Sequence, residues 1–341
     1  MKLESLLNVK YPIIQAGMAN VSGHALAAAI SNTGGLGTIG AGYMNSETLK
    51  QEILGTNNLT DKPFAVNLFV PSNPTKDKNK ITRARALLEP YRTALGLKDL
   101  KIADTNETTD FNEKIDTVIK HNVPIVSFTF GIPTKTTIEK LKSHNITLIG
   151  TATNLEEALL NELHGMDAIV LQGSEAGGHR GYFTNDKDTM IGLMAFIPEV
   201  VDELNIPVIA AGGIVDSRGI KAAHALGAQG VQIGSLFLNT NESLAPTTHK
   251  QLITKEIDNT VLTKVFSGKT ARGINNTFIE EMKSYEDELP DYPLQNQLTS
   301  PIRKEAGLQK ETSFLSLWKG QGRIKLQDDL SAEAVFKSLI N

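Results

Sequence analysis

Ala168-Ile169-Val170-Leu171-Gln172-Gly173-Ser174-Glu175-Ala176-Gly177-Gly178-His179-Arg180-Gly181 passes abruptly from an unbroken apolar run into a glycine-rich turn that carries an imidazole. A short run with no polar alternation reads as a strand buried on both faces, the habit of parallel sheets covered by helices. The glycines permit φ > 0 and let a backbone come close to a ligand. A titratable side chain at such a strand exit is where α/β enzymes tend to hold their chemistry. His179 is therefore the candidate catalytic residue. Glu175 and Arg180 lie beside it in sequence, and each reads as a catalytic group, a solvated charge or a salt-bridge partner.

Outward from this stretch, similar runs recur between glycine and proline punctuation. They are Tyr11 to Ala16, Leu36 to Ile39, Phe64 to Val70, Pro124 to Phe130, Ile146 to Ala152, Ala168 to Gln172, Pro207 to Ala211 and Gly230 to Leu238. Helical patterns separate most of them, among them Gly23 to Asn32, Thr134 to Ser143, Leu155 to Leu163 and Arg218 to Leu226. Strand and helix alternating in this way predict a parallel sheet covered by helices. Eight such units in ~240 residues fit an α/β fold of the (β/α)8 TIM-barrel type. An open doubly wound sheet is the alternative. The expected barrel spans residues 1–238, with an inserted segment at 72–122 that is too long for a bare crossover and carries Leu87, Leu88, Tyr91, Leu95 and Leu97. Residues 239–341 read as a smaller, mostly helical subdomain over the strand exits, its final helix free to return to the barrel.

The seventh and eighth runs both end in glycine: Pro207-Val208-Ile209-Ala210-Ala211-Gly212-Gly213-Ile214 and Gly230-Val231-Gln232-Ile233-Gly234-Ser235. Loops after the last two strands of such barrels often bind phosphate through backbone N–H groups and a helix N-terminus. Side chains at Gly212, Gly213 and Gly234 would block that approach, and Ser235 offers a hydroxyl donor. Tight strand-to-helix turns would explain one such glycine end, but two at these positions favour phosphate. Gly35-Leu36-Gly37-Thr38-Ile39-Gly40 matches a dinucleotide fingerprint, but a helical stretch precedes it where a strand is needed. Close backbone packing suits it better. Asn67 sits inside an apolar run, so its buried amide needs partners, either a neighbouring strand or a ligand in the barrel mouth.

Composition narrows the function. The chain has 341 residues, 40% hydrophobic, with net charge −4 and no cysteine. Dispersed basic residues exclude the stripe that nucleic acid requires. Absent cysteine excludes disulfides, thiolate metal sites and a cysteine nucleophile. No signal-peptide pattern and no run near ~18 apolar residues is present, so a cytoplasmic protein that does not span a membrane is expected. His24, His121, His144, His164, His224 and His249 lack metal-ligand spacing and read as structural. Trp318 reads as a hydrophobic anchor of the tail, with a cover over the site as the other option.

Several stretches resemble the nitronate monooxygenase family, formerly called 2-nitropropane dioxygenases, and in particular its class I bacterial members. They are Pro12-Ile13-Ile14-Gln15-Ala16-Gly17-Met18-Ala19, Gly34-Gly35-Leu36-Gly37, Gly173 to His179 and Ala210 to Ile214. The tail adds Asp291-Tyr292-Pro293-Leu294-Gln295-Asn296, Leu298-Thr299, Ile302-Arg303-Lys304 and Trp318-Lys319-Gly320-Gln321-Gly322. The first group is shared with FMN-dependent enoyl-ACP reductases; the tail group discriminates. Gly17 departs from the proline of many relatives, which loosens that turn.

The resemblance implies an FMN enzyme, monomeric or homodimeric, that converts an alkyl nitronate and O₂ to a carbonyl compound and nitrite. Propionate 3-nitronate is the implied substrate and detoxification the implied role. Gln15, Ala16, Gly17, Met18, Asn67, Gln172 and Gly177 would line the flavin ring or ribityl chain. Gly212, Gly213, Gln232, Ile233, Gly234 and Ser235 would hold the phosphate. His179 matches the active-site histidine, able as a neutral imidazole to take the α-proton of a nitroalkane. Tyr292 and Arg303 are lid candidates over an anionic substrate. An NAD(P)H-dependent enoyl-ACP reductase is the enzyme rival, and a non-catalytic flavin- or phosphate-binding barrel the rival of another class.

Overall fold

Strands apolar on both faces must be covered on both faces, and the arrangement here achieves that by closing the sheet on itself. The computed structural model describes residues 2–72, 76–98, 107–184, 188–255, 259–326 and 329–340. The sheet strands are β1 (Ile13–Gln15), β2 (Gly37–Gly40), β3 (Phe64–Phe69), β4 (Ile125–Thr129), β5 (Thr147–Ala152), β6 (Ala168–Gln172), β8 (Val208–Ala211) and β9 (Gly230–Ile233), while β7 (Gly178–His179) lies outside this sheet. Their order is β1-β9-β8-β6-β5-β4-β3-β2. Neighbours pair in parallel, with registers such as Ile13↔Val231 and Gln172↔Ala211. The ring closes where Ile14 bridges Leu36, and Gln15 N–H donates to the Leu36 carbonyl at 2.9 Å. An open sheet would leave β1 and β2 as edges, so the structure is the (β/α)8 barrel.

Strand ends fall slightly inside the apolar runs, because Pro12, Pro63, Pro124 and Pro207 lie just before strands and cannot donate to a ladder. The largest difference is at Gly230 to Leu238. The strand stops at Ile233, and Ser235–Leu238 turns into a short helix with Leu236, Phe237 and Leu238 buried. Burial kept the run apolar through the change of element, so hydropathy alone does not mark it.

Side-chain caps fix the outer helices. Thr134 accepts from Thr137 N–H, Asn154 from Glu157 N–H, and Asp216 from Arg218 and Gly219 N–H. A five-residue helix, Leu3–Leu7, plugs the barrel floor, where Leu3 and Leu7 join Ile14, Leu36, Ile125 and Ile209 in one buried cluster. Each such leucine contributes about 1.5–3 kcal/mol by leaving water. Gly35, Gly37 and Gly40 are packing glycines: a Cβ on them would overlap Phe336, the Ala27 carbonyl and the Met18 carbonyl respectively.

The long link between β3 and β4 carries two helices with different allegiances. Glu107–Lys120 buries Phe111, Ile115 and Val118 against barrel strands. Lys78–Ala94 instead places Leu88 and Tyr91 among Phe266, Phe278 and Ile302 of the tail. Residues 73–75 and 99–106 of that link lie outside the described residues. The tail adds β10 (Thr260–Thr263) and β11 (Ala271–Ile274) and the helix Leu294–Leu308. A further helix, Ala332–Ile340, packs Val335, Phe336 and Leu339 into the barrel's outer core. Among the described residues no helix is long and apolar enough to cross a membrane.

Candidate active site

A cavity of about 580 Å³ opens at the carboxyl ends of the strands. Its barrel side is mostly backbone and small side chains. Ala16, Gly17 and Met18 follow β1, Asn67 comes from β3, Gln172 ends β6, Gly212 and Gly213 follow β8, and Gln232 to Ser235 end β9. Gly177 and His179 come from the loop after β6. Gln15 stands apart. It is fully buried behind this wall, accepting from Thr38 N–H at 3.0 Å and donating to the Ala16 carbonyl. It shapes the turn that bears Ala16 and Gly17.

Two glycines here answer to local packing. Gly213 has φ +64°, and a Cβ on it would come within 3.1 Å of Glu175 Cβ. At Gly17 a Cβ would overlap Asn67 Cβ, so glycine at this position lets the β1 exit lie against β3. Asn67 itself does two jobs: Nδ2 donates to Ser127 Oγ at 3.0 Å and Thr129 Oγ1 at 3.1 Å, and the side chain also faces the cavity. The helix after β8 has its first donors taken by Asp216, whereas the helix after β9 begins at Gly234 with no side-chain cap. Ser235 Oγ accepts from Gly320 N–H at 2.8 Å, which leaves its own hydrogen free to donate.

His179 is held from both directions. β7 pairs antiparallel with β11, Ala271 opposite His179 and Arg272 opposite Gly178. From the barrel, Gln172 Nε2 donates to the His179 carbonyl at 2.9 Å and Gln172 Oε1 accepts from Gly181 N–H at 2.7 Å. Arg180 and Glu175 turn away from the chemistry. Arg180 is 0% exposed; it forms an ion pair with Asp188 and donates to the Gln172 and Gly173 carbonyls. Glu175 accepts from Leu193 N–H at 3.0 Å, at the start of the helix Leu193–Val201. Both are structural.

The imidazole of His179 lies edge-on to Phe130, Tyr292 and Trp318, with ring centroids 5.4–5.9 Å apart. Its buried Nε2 has no hydrogen-bond partner. Burial first, then the positive charges of Arg303 and Lys269, push its pKa down to about 3. The ring is therefore neutral throughout the physiological range. Lys269 donates to the Tyr182 carbonyl and lies 3.8 Å over the Tyr182 ring; burial pushes it down to about 8.

Arg303, on the helix Leu294–Leu308, faces the same cavity. It donates to Asn296 Oδ1 at 2.7 Å and to Ser316 Oγ at 3.3 Å, while buried Nε has no partner. No carboxylate pairs with it among the described residues. Its charge couples to the phenols of Tyr43 and Tyr292, both raised above the ordinary range chiefly by burial. Tyr43 Oη is likewise buried, near the Tyr292 phenol but without a hydrogen-bond partner of good geometry. Unpartnered buried groups are rare in native proteins, and here His179, Tyr43 and Arg303, which carry three of them, line one cavity.

A family model for nitronate monooxygenase matches residues 1–341. The chain belongs to the nitronate monooxygenase family. A relative from Staphylococcus saprophyticus, named probable nitronate monooxygenase, is 51% identical over 344 residues, covering 99% of this chain and 96% of its own. A solved nitroalkane oxidase from Streptomyces ansochromogenes superimposes with TM-score 0.91 at 35% identity, covering 99% and 96% of the two chains. The FabK structure from Thermotoga maritima gives TM-score 0.78 at 29% identity, covering 99% and 94%. This nitronate monooxygenase family member is thus an oxidoreductase, from a family that is flavin-dependent in general.

Sequence reading passed over several walls of this family member's cavity. Tyr43 follows β2, and Phe69 and Phe130 end or follow β3 and β4. Their signal was available: each is an aromatic at a strand exit. The tail contributes Leu315 to Trp318, Gly320 and Gln321, irregular backbone without periodicity. Trp318 is both an anchor, 5.7 Å from Phe266, and part of the cavity wall. His249, read as structural from sequence, also lines the cavity. His144, His164 and His224 bond locally to the carbonyls of Lys140, Leu160 and Ala228, and His24 pairs with Glu52 of the next helix.

Proposed function

We propose that the chain is an FMN-dependent enzyme that oxidises alkyl nitronates with O₂ to a carbonyl compound and nitrite, with propionate 3-nitronate as substrate. The observation that carries this reading is the cluster of unpartnered polar atoms: His179 Nε2, Tyr43 Oη and Arg303 Nε. One fixed positive charge and one phenol donor, both buried and neither bonded to a carboxylate among the described residues, suit an anionic guest.

The cavity fits the cofactor. Its volume lies in the range of about 300–1,000 Å³ usual for cofactor sites. Ala16, Gly17, Met18, Asn67, Gln172 and Gly177 would hold the ring and ribityl chain. Gly212, Gly213, Gln232, Ile233, Gly234 and Ser235 would hold the phosphate, with Ser235 Oγ–H as donor. When bound, the flavin supplies the electron chemistry. The protein binds the anion, excludes water through Phe130, Tyr292 and Trp318, and presents a neutral His179.

That neutrality separates two substrates. To take a proton from a neutral nitroalkane, His179 would have to become a buried cation beside Arg303 and Lys269. A nitronate arrives already deprotonated and needs only a hydrogen bond from the imidazole N–H. The site therefore favours nitronates over nitroalkanes, and kcat/KM for propionate 3-nitronate should exceed that for 3-nitropropionate by a large factor.

Anaerobic mixing of the purified protein with propionate 3-nitronate, and separately with NADH and NADPH, tests the reading through the flavin spectrum. Rapid change with the nitronate and none with either nucleotide is expected. Rapid bleaching by a nucleotide with indifference to nitronate would instead place the chain with the reductases, a reading that its likeness to FabK keeps in view. Failure to bind FMN would overturn the cofactor assignment.

A further inference from the structure

Phe130 follows β4 and lines the cavity, and its backbone is left-handed, with φ +75°. That region is ordinary for glycine and rare for a bulky aromatic residue. Because φ sets the direction in which Cβ leaves the chain, an ordinary backbone at this position would aim the ring elsewhere. Strain of this kind persists only where the surroundings hold it, and it gathers at functional sites.

The surroundings here come from both parts of the molecule. Phe130 is buried, with Phe69 of β3 at 4.5 Å between ring centroids and Tyr292 of the tail at 5.2 Å. Lys269, also of the tail, places its ammonium 5.1 Å over the Phe130 ring. The imidazole of His179 meets the same ring edge-on, at 5.8 Å and 88°. Just beyond Lys269, the Thr270 carbonyl accepts from Arg180 N–H at 2.8 Å and Ala271 pairs with His179. One stretch of the tail therefore secures both the backbone of His179 and the ring of Phe130.

The imidazole depends on such a neighbour. Among the described residues no hydrogen bond reaches either ring nitrogen of His179. A functional imidazole is ordinarily oriented by the bond that one of its nitrogens makes. Here the orientation rests on packing against Phe130, Tyr292 and Trp318, and of these three Phe130 alone has positive φ. We infer that Phe130 is a positioning residue: its ring, held on a left-handed backbone, sets the orientation of the His179 imidazole. The inference rests on the reading of His179 as the group that meets the substrate.

A double-mutant cycle tests it, with Phe130→Leu and His179→Gln made singly and together. Phe130→Leu alone should lower kcat/KM for propionate 3-nitronate about tenfold, as a misplaced group does. Added to His179→Gln, it should cost less than about twofold, since the group it positions is gone. Equal losses in the two backgrounds would overturn the inference and make Phe130 an independent part of the wall. A second readout needs no turnover. In protein carrying isotope-labelled histidine, the His179 ring signal is identified by its absence from His179→Gln. It should be one sharp line in wild type and broadened or doubled in Phe130→Ala; an unchanged line would overturn the inference. Thermal melting reads the strain. Phe130→Gly should melt no lower than Phe130→Ala, the reverse of the usual order, because glycine takes positive φ freely. A lower melting point for the glycine variant would show the backbone unstrained and remove the ground for the inference. Absence of nitronate oxidation by the wild-type protein is a different result: it strikes the proposed function, while the ring signal still decides what Phe130 does.

Discussion

The two walls of the cavity are made of different material. The barrel wall is backbone and small residues: Ala16, Gly17, Gly177, Gly212, Gly213 and Gly234. The tail wall is large side chains: Arg303, Lys304, Trp318 and His249. A ligand laid on the first is held by close approach, and on the second by charge and shape. Binding of a large invariant cofactor suits the first wall. Discrimination among small substrates suits the second. His179 joins them, since its chain leaves β6 of the barrel but pairs with β11 of the tail.

The division can be broken by substitution. Arg303→Leu should give the largest effect: kcat/KM for propionate 3-nitronate falls about a hundredfold or more, as expected when one partner of a buried charge contact is removed. Flavin content, read from absorbance, should remain at wild-type level. Flavin loss instead would mean that the tail wall holds the cofactor too. Gly177→Ala strikes the seam, where a new methyl would overlap Gly320 N. It should lower stability by about 1–3 kcal/mol and release flavin, both measurable by calorimetry with a flavin-to-protein ratio.

Acid should act on both walls together. His179 and His249 are lowered from 6.5 to about 3 and about 4. The unfolded chain therefore binds their protons first as pH falls. Stability is intact above about pH 6.5 and declines below it, by up to about 1.4 kcal/mol per pH unit for each histidine. Denaturant unfolding between pH 7 and 4.5 checks this, and the double variant His179→Gln, His249→Gln should flatten the profile. Finally, His179→Gln should reduce kcat/KM on nitronates about tenfold, with flavin retained. A collapse of many orders would contradict the role of neutral hydrogen-bonding group and restore that of general base.

The barrel wall was largely legible in the sequence, for a physical reason. Strand exits recur at fixed places in a (β/α)8 chain, so the order of elements alone gives a position to glycine after β8 and β9, or to an imidazole after β6. Arg303 and Tyr292 were named through family resemblance, not spacing. Tyr43, Phe69 and Phe130 were passed over although each stands at a strand exit, and His249 was read as structural because its place on the cavity depends on how the tail folds back. The charges beside His179 show the limit from the other side. Arg180 and Glu175 sit next to the imidazole in sequence, yet strand geometry sends them to Asp188 and to a helix start. The helix Leu3–Leu7 went unseen because five residues carry no measurable periodicity.

The pairing of β7 with β11 also orders events in time. During synthesis the loop bearing His179 leaves the ribosome well before Ala271–Ile274 exists. Until then the imidazole lacks its β11 pairing, and Arg303 comes later still. The backbone that fixes the imidazole is therefore complete only once the tail has been made.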